Sequence, residues 1–178
     1  MDLRRDPPAP PSRIKAILKG VYPLVLFVSI QVKDIARLGR LFPWQKPAAC
    51  PRCHGKLWWH GFVVAYFSCC REAVYLRRLR CSCCGAVHRL RPSGYFRRFR
   101  SSIAEITRSM SWRSTQRRWC PDLPRSRQRQ WWRSLLRKLW LLLGRSFSSS
   151  PIKGFHLLFK DNIIPVSRAG QKENQAVK

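Results

Sequence analysis

Two short stretches of the chain carry cysteines at the spacing used by metal-binding turns. Residues 50–53 read CPRC and residues 81–85 read CSCCG, so each stretch contains a C-x-x-C. Two thiolates from one tight turn can reach the same ion, and two such turns supply the tetrahedral four-sulfur shell that zinc prefers. This pattern predicts a bound zinc ion. The predicted ligands are Cys50, Cys53, Cys81 and Cys84.

The second stretch has one cysteine more than such a turn needs. Gly85 follows the last cysteine and suits the end of the turn, because glycine adopts positive φ with little strain. This selects Cys81 and Cys84 as the ligands, since only the first and fourth positions converge on one ion. Cys83 then points elsewhere.

Other ligand sets stay open on sequence alone. The pair Cys69-Cys70 supplies a ligand in one of them. In another, His54 or His60 completes a mixed cysteine–histidine shell, and in a third the cysteines stay reduced without metal. A catalytic zinc needs an open coordination position and a general base. We do not expect one, because Glu72 is the only carboxylate of this region.

The 27 residues between the two C-x-x-C stretches have the composition of β-strands. Residues 57–67 and 73–80 are rich in aromatic and β-branched types, which favour strands. Residues 86–90 continue the pattern beyond the second turn. A cysteine turn, a hairpin, a second cysteine turn and a strand follow in the order of a zinc ribbon. This predicts three antiparallel strands.

The chain carries a large excess of positive charge. Its 178 residues include 36 Lys and Arg against 8 Asp and Glu, which gives a formal net charge of +28. A charge far above the ~2–8 of an ordinary small domain repels itself in a compact state unless a polyanion offsets it. DNA is the partner that this composition favours, and an anionic membrane surface comes second.

Cysteine usage also bears on the compartment. The apolar run 20–32 is the one candidate export signal, and its 13 residues are fewer than the ~17–25 of a membrane-spanning helix. No small-residue cleavage site follows it. We therefore expect a cytoplasmic, nucleoid-associated protein, in which paired cysteines indicate metal rather than disulfides.

The region after the ribbon predicts two short helices. Ser102 and Glu105 form the S-x-x-E pattern of a capping box. Residues 111–114 indicate a turn, and Ser114 caps a second short helix over residues 115–119. Two such helices are a helix-turn-helix candidate, in which the start of the second helix reaches base edges. Two ordinary core helices are the alternative.

Residues 126–143 have the clearest helical pattern. Apolar side chains recur at helical spacing from Trp132 to Leu143, with Ser126 as the expected cap and Gly144 as the expected end. Arginines occupy the other faces. We favour contacts of these arginines with phosphates. The alternatives are a helix that lies on a membrane and a solvated charged face.

Arginine alternates with aromatic residues over residues 89–100. Guanidinium groups bind phosphate, often bidentately, and rings stack on exposed bases, so this stretch is typical of a nucleic-acid surface. A basic linker is the alternative. With the helical region it gives the predicted nucleic-acid-binding set. The set is Arg97, Arg98, Arg100, Arg113, Gln116, Arg117, Arg118, Arg127, Arg129 and Arg133.

Several stretches together resemble zinc-ribbon proteins associated with bacterial transposons. They read FPWQKPAACPRC, WWHGFV, LRRLRCSCCGAVHRLRPSGYFRRF, SSIAEI and RRW, and they cover about residues 42–135. The resemblance implies the same four cysteine ligands, a helix-turn-helix after the ribbon, and Trp119 as the end of the R-R-W motif. Cys69, Cys70 and Cys83 lie outside the pattern of this family.

A catalytic core is not expected. Transposases that transfer phosphoryl groups use clustered carboxylates to hold two metal ions, and none of the eight acidic residues forms such a pair in a strand context. We therefore expect a zinc-dependent DNA-binding protein, an accessory or regulatory protein of a transposon rather than an enzyme. The alternatives are a zinc-ribbon module that binds a protein partner, such as a transposase subunit, and a peripheral membrane-surface protein.

The expected fold class is α+β, with a small three-stranded antiparallel zinc ribbon, a short helical region and disordered termini. A linker with two prolines at 42–47 precedes the ribbon, and residues before proline avoid the helical conformation. The expected parts are 1–13 disordered, 14–42 apolar and helical, 48–92 the zinc ribbon, 95–144 the basic helical region, and 145–178 a loosely ordered tail.

Overall fold

The protein has an α+β fold in which a four-stranded mixed sheet precedes a unit of three helices. A computed structural model describes residues 24–144 and 147–167; residues 1–13, predicted to be disordered, lie outside this part. The elements are β1 Leu24–Val28, α1 Val32–Leu38, a 3-10 turn Gly39–Leu41, β2 Leu57–Ala65, β3 Val74–Cys81, β4 Val87–Pro92, α2 Ile103–Gln116, α3 Arg125–Leu143 and α4 Pro151–Lys160.

The strands predicted between and after the cysteine turns are present. β2 and β3 form an antiparallel hairpin in which Leu57 lies opposite Cys81 and Ala65 opposite Val74. A bulge interrupts β2 beside Gly61, whose φ is +74°, and a bulge increases the local twist of a strand. β4 then pairs antiparallel with β3.

The sheet differs from the predicted three-stranded ribbon because β1 adds a fourth strand. The strand order is β1-β4-β3-β2, and β1 runs parallel to β4. The expectation of a helical segment over 14–42 is therefore wrong at Leu24–Val28; of the segment's described residues, 24–42, only Val32–Leu38 form an α-helix. A short apolar run does not distinguish a buried strand from a helix by periodicity, and its partner strand is far away in sequence.

Helix α1 covers part of the sheet. Val32 and Ile35 are buried and pack with Leu76 of β3 and the rings of Phe67 and Tyr95. These two rings meet edge to face, with centroids 4.6 Å apart, an arrangement that aromatic pairs prefer. A separate apolar cluster surrounds the cysteine turns. Its buried members are Cys50, Leu57, Leu79, Cys81 and Leu90.

The capping box at the start of α2 is confirmed, and it also joins the helix to the sheet. The Ser102 hydroxyl accepts from the Glu105 backbone N–H at 3.1 Å, and the Glu105 carboxylate accepts from the Ser102 N–H at 2.7 Å. The same carboxylate accepts from the Ser68 hydroxyl at 2.6 Å. One acidic side chain thus fixes both the helix start and the loop after β2.

The predicted turn at 111–114 and the predicted helix at 115–119 are not observed. α2 runs without a break to Gln116 and ends at Arg117, which has a left-handed φ of 54°. Met110 is fully buried in the helical core, and the Thr115 hydroxyl donates to the Ser111 carbonyl within the helix. Packing against the other helices therefore overrides the weak turn preference of the serines.

The long basic helix lies close to its predicted position. α3 starts at Arg125, so Ser126 is not its N-cap, while Gly144 is its C-cap as predicted. The buried face contains Trp131 rather than Trp132, which is only partly buried. The core of the helical unit consists of Phe96, Ile106, Met110, Trp131, Leu135, Leu139, Phe155, Leu158, Ile164 and Val166.

The expectation of a loosely ordered tail does not hold for Pro151–Lys160, which form α4. Gly154 lies so close to α3 that an added Cβ would be 2.4 Å from a methyl carbon of Leu139. Lys138 of α3 is buried and donates to the Ile164 carbonyl at 2.7 Å, and also to the Ser167 hydroxyl. The close packing that Gly154 allows and the hydrogen bonds of the Lys138 amino group thus hold the segment 151–167 against α3.

Gln128 of α3 holds the loop between α2 and α3. Its side chain is fully buried, and its amide oxygen accepts from the Ser109 hydroxyl at 2.9 Å and from the Cys120 N–H at 3.0 Å. Its amide nitrogen donates to the carbonyls of Cys120 and Leu123, each at 2.7 Å. All four hydrogen-bonding positions of this amide are therefore filled.

Gln128→Leu is expected to lower the free energy of unfolding by about 3 kcal/mol, because it leaves several buried donors and acceptors without partners. Urea denaturation followed by tryptophan fluorescence measures this loss. The matched control is Gln130→Leu at an exposed position of the same helix, where the change should stay within about 0.5 kcal/mol. Equal stability of the two variants would contradict this role of Gln128.

Candidate metal centre and basic cleft

The first cysteine turn is closed by backbone hydrogen bonds. The His54 N–H donates to the Cys50 carbonyl at 2.8 Å, and the Cys50 N–H donates to the Gly55 carbonyl at 2.9 Å. His54, which follows the second cysteine, has a left-handed φ of 58°. This conformation turns the chain back so that Cys50 and Cys53 lie on the same side of the turn.

The second cysteine turn repeats the first. The Gly85 N–H donates to the Cys81 carbonyl at 3.2 Å, and the Cys81 N–H donates to the Ala86 carbonyl at 3.0 Å. Gly85 has a φ of 68°, as the sequence predicts for the residue after the last cysteine. The equivalent hydrogen bonds make Cys81 and Cys84 the counterparts of the first pair.

The two turns bring the four predicted sulfurs together, so that these cysteines are positioned to hold a metal ion. Their sulfur atoms all lie within 4.8 Å of one another. The sulfurs of Cys50 and Cys84 are 3.8 Å apart, and those of Cys53 and Cys81 are 3.4 Å apart. A tetrahedral ion with bonds of ~2.3 Å to sulfur requires sulfurs about 3.8 Å apart. The cluster therefore fits a four-sulfur shell.

The alternative ligands lie outside this cluster. Neither histidine of the first turn and hairpin, His54 or His60, is part of it, and neither is Cys83. The sulfurs of Cys69 and Cys70 are 3.5 Å from each other, and that of Cys69 is 3.2 Å from the Tyr95 hydroxyl. The geometry thus favours the shell of four cysteines.

Hydrogen bonds and burial act in opposite directions on the thiols of the cluster. Hydrogen bonds, first from the Gly55 backbone and then from Cys81, lower the pKa of Cys53 to about 6. Burial is the main cause that raises the pKa of Cys84 to about 12. A metal ion needs both as thiolates, so binding displaces a proton from the Cys84 thiol, and affinity falls as the pH falls.

Gly55 is a residue of the metal centre that the sequence reading missed. A Cβ at this position would be 2.7 Å from the Cβ of Cys83 and 3.2 Å from the sulfur of Cys81. Only a glycine allows the first turn to approach the second this closely. The position corresponds to Ala86 in the second turn, which carries a Cβ, so the sequence contains no signal that glycine is required at position 55.

His88 of β4 is a second missed residue. It is fully buried, and its Nε2 lies 3.3 Å from the sulfur of Cys50. Burial, followed by the nearby charge of Arg52, lowers the pKa of His88, which favours the neutral ring, and its Nε2 is within hydrogen-bonding distance of the Cys50 sulfur. Such a partner orients the ligand. The alternation of β4, which places His88 on the face of Leu90, would have indicated it.

A cleft of about 640 Å³ lies where the end of α2, the following loop and the start of α3 meet. Six arginines and two tryptophans line it. They are Arg113, Arg117, Arg118, Trp119, Arg125, Arg129, Trp132 and Arg133. Arg125, Arg129 and Arg133 follow one another at a spacing of four residues, which places them along one face of the helix.

The arginine side chains of this cleft are partly ordered by its rings. The guanidinium of Arg113 lies 4.5 Å from the ring centroid of Trp119 and 6.0 Å from that of Trp132, within the range of cation–π attraction. Arg113 also donates to the Arg117 carbonyl, which satisfies the last turn of α2. The cleft thus combines fixed positive charge with flat apolar surface.

The cleft contains half of the predicted nucleic-acid-binding set. It brings together Arg113, Arg117, Arg118, Arg129 and Arg133, and it adds Arg125, Trp119 and Trp132. The helical spacing from Arg125 to Arg133 is the signal that would have added Arg125.

The other predicted residues lie outside the cleft lining. The Arg100 guanidinium is 5.3 Å from the ring centroid of Tyr66, and Arg127 donates to the Ser101 hydroxyl at 3.2 Å. Gln116 is exposed at the end of α2. Arg97 and Arg98 belong to the segment between β4 and α2, and Arg98 has a positive φ of 66°.

Comparison with known proteins finds no matching family model, curated protein or solved structure. In the described ranges 24–144 and 147–167, no helix combines the length and the apolar character needed to cross a membrane.

Gly55→Ala is expected to weaken metal binding at least about tenfold, because its new methyl group pushes the two turns apart at the sulfurs. Competition with a chromophoric chelator measures the affinity. Gly94→Ala is the matched control, since a Cβ there would meet nothing within 4 Å. If both variants hold metal as tightly as the unsubstituted chain, the close approach of the turns is not required.

Proposed function

We propose that this chain is a zinc-stabilised DNA-binding protein. The observation that carries the proposal is the cleft lined by six arginines and two tryptophans. No carboxylate lines this cleft among the described residues, so a bound polyanion is the source of charge that offsets it. Arginine binds phosphate oxygens bidentately, and tryptophan stacks on bases or packs against sugars.

The charge of the whole chain supports the same partner. The ion pairs Arg37–Asp34 and Arg108–Asp122, with N–O distances of 3.8 and 3.6 Å, are both solvent-exposed, and such pairs contribute little stability. Few acidic residues are available to offset a net charge of +28. Binding to DNA releases counterions from the phosphates, which favours association with a basic surface of this kind.

The proposed metal is zinc, and its role is structural. Thiolate ligands suit zinc, and four protein ligands leave no coordination position for a substrate. Bound zinc would contribute the cross-link between the two cysteine turns. The residues that hold it are Cys50, Cys53, Cys81 and Cys84, and His88 and the Gly55 backbone support their thiolates.

The proposed biological role rests on the resemblance to transposon-associated zinc ribbons. An accessory or regulatory protein of this kind would act on DNA at the nucleoid without a catalytic step of its own. The recognition helix implied by the resemblance is not part of the proposal, because Arg117 and Arg118 follow the end of α2 instead of forming a second helix.

A protein partner is the second candidate. Several large apolar side chains of α3 and α4 remain exposed, and an apolar patch of this kind is typical of an interaction surface. They are Leu136, Trp140, Leu141, Leu142 and Leu157. A membrane surface is less favoured, because Val32, Ile35 and the Trp131 face of α3 are used in the protein core.

DNA binding should weaken steeply with salt, and the double variant Arg129→Gln/Arg133→Gln should bind about tenfold more weakly. Its slope of log K against log salt should be smaller by about 2, since each lost phosphate contact removes about 0.9. Fluorescence anisotropy with a labelled duplex at several KCl concentrations measures both. Arg137→Gln, an exposed change on the same helix outside the cleft, is the matched control.

A salt-independent affinity of the unsubstituted chain would overturn the proposal of DNA binding. An equal loss in the cleft variant and in Arg137→Gln would instead assign binding to diffuse charge rather than to the cleft. Association with a purified transposase subunit, together with no affinity for DNA, would favour the second candidate.

Native mass spectrometry should find one zinc ion per chain, and Cys81→Ser should lose it and unfold at a lower temperature. The reason is that a serine hydroxyl replaces one thiolate of a four-sulfur shell. Cys69→Ser is the control, because this exposed cysteine lies outside the cluster. A metal-free chain that keeps its thermal stability in a strong chelator would refute the proposed role of zinc.

A further inference from the structure

Two arginines face each other across neighbouring strands of the sheet. Arg78 of β3 lies directly opposite Arg89 of β4 in the antiparallel register. Side chains at such positions have Cβ atoms about 5 Å apart, and like charges placed there destabilise a sheet. The charges of Arg78 and Arg97 also act on Arg89, where they add to burial in lowering its pKa. The sheet therefore carries a repulsive pair at its centre.

The hydrogen bonding of this pair is incomplete. The Nε atoms of Arg78 and Arg89 are both buried, and neither has a hydrogen-bond partner among the described residues. Desolvation of a guanidinium without a partner is costly, and buried polar groups in native proteins normally have partners. Within the same residues, no ion pair joins either arginine to a carboxylate.

The neighbouring Arg91 is an arginine of this sheet with a structural function, and it can be compared with Arg78 and Arg89. Its Nε also lacks a hydrogen-bond partner among the described residues, but its guanidinium donates to the Phe99 carbonyl and lies 5.1 Å from the ring centroid of Phe67. These contacts connect the sheet to the segment before α2. Within the described part of the chain, Arg78 and Arg89 have no equivalent contacts, so packing there does not account for their presence opposite each other.

The bulge of β2 places a glycine beside one end of Arg78. Gly61 lies there, and a Cβ on it would be 3.8 Å from Nη2 of Arg78. Because Gly61 has no side chain, nothing from this residue covers the guanidinium. The repulsive pair therefore has unfilled hydrogen-bonding positions, and Gly61 places no side chain over Nη2 of Arg78.

We propose that Arg78 and Arg89 form a phosphate-binding site, with Arg97 at its side. A doubly charged or diester phosphate fits between two guanidinium groups, since each presents a planar fork that matches two phosphate oxygens. The bound anion converts the repulsion of the pair into two attractions. The phosphate belongs either to a nucleic-acid backbone or to free inorganic phosphate, and only the first source rests on the proposed function.

The first experiment measures thermal unfolding of the zinc-loaded protein in sodium phosphate and in sodium chloride at matched ionic strength. Phosphate should raise Tm saturably by about 3 °C at ten times its Kd. Arg78→Gln and Arg89→Gln should unfold no earlier than the unsubstituted chain without phosphate and lose most of the phosphate shift. Arg80→Gln is the control, because this exposed arginine of β3 lies opposite Val87.

Arg89→Glu is a second test that does not depend on a variant that fails to fold. It replaces the repulsive pair by an ion pair, so it should raise Tm in the absence of phosphate and abolish the phosphate shift. A phosphate shift that persists in Arg89→Glu, or that is equal in Arg78→Gln and Arg80→Gln, overturns the proposed site. A Tm of Arg89→Glu below that of the unsubstituted chain also counts against it, because the pair would then not be repulsive.

The second experiment identifies the source of the phosphate and separates this inference from DNA binding. If the site binds a DNA backbone, Arg78→Gln should lower the salt slope of duplex binding by about 1, whereas Arg80→Gln keeps its affinity. If duplex binding is unchanged while the phosphate shift is lost, the site binds the free anion. A phosphate shift in a chain without affinity for DNA would refute the proposed function and support the site.

Discussion

The cysteine cluster determines where the strands of this protein meet. Its first turn, with Cys50 and Cys53, leads directly into β2, and Cys81 is the last residue of β3. Cys84 lies just before β4, so the cluster joins the ends of three strands, and an ion held there would tie them together. The two cysteine turns meet at this end of the hairpin, and this explains why Leu57 lies opposite Cys81. The pairing of β3 with β4 starts at the same end, where Arg80 lies opposite Val87.

The chain has a large excess of positive charge, and several of its cationic side chains lie against aromatic rings. Arg77 lies 4.8 Å from the ring centroid of Trp59 and 4.4 Å from that of Phe62, and Lys56 lies 4.6 Å from that of Trp58. Cation–π contacts hold a cation without an acidic partner, which suits a chain with 8 acidic residues. Where cations converge without such contacts, as in the pair on β3 and β4, the charge is available for an anion.

Local chemistry was predictable from this sequence, and long-range pairing was not. The cysteine spacing, the three strands around it and the Ser102–Glu105 box are short patterns with a direct structural meaning. β1 was missed because five apolar residues carry no period that separates strand from helix. The continuation of α2 past residue 111 and the order of Pro151–Lys160 depend on tertiary contacts such as those of Met110 and Gly154, and propensity does not reveal these.

The composition of the basic cleft also limits the kind of recognition that the proposed DNA binding would have. Gln116, the side chain of the predicted set best suited to a bidentate contact with adenine, lies outside the cleft lining. The residues inside it are arginines and tryptophans, which bind phosphates and stack on any base. Gln128 fixes the loop that carries Trp119, so the cleft is ordered before a ligand arrives, and less entropy is lost on binding. Preorganised contacts with phosphates and ring faces favour affinity for nucleic acid over discrimination between base sequences.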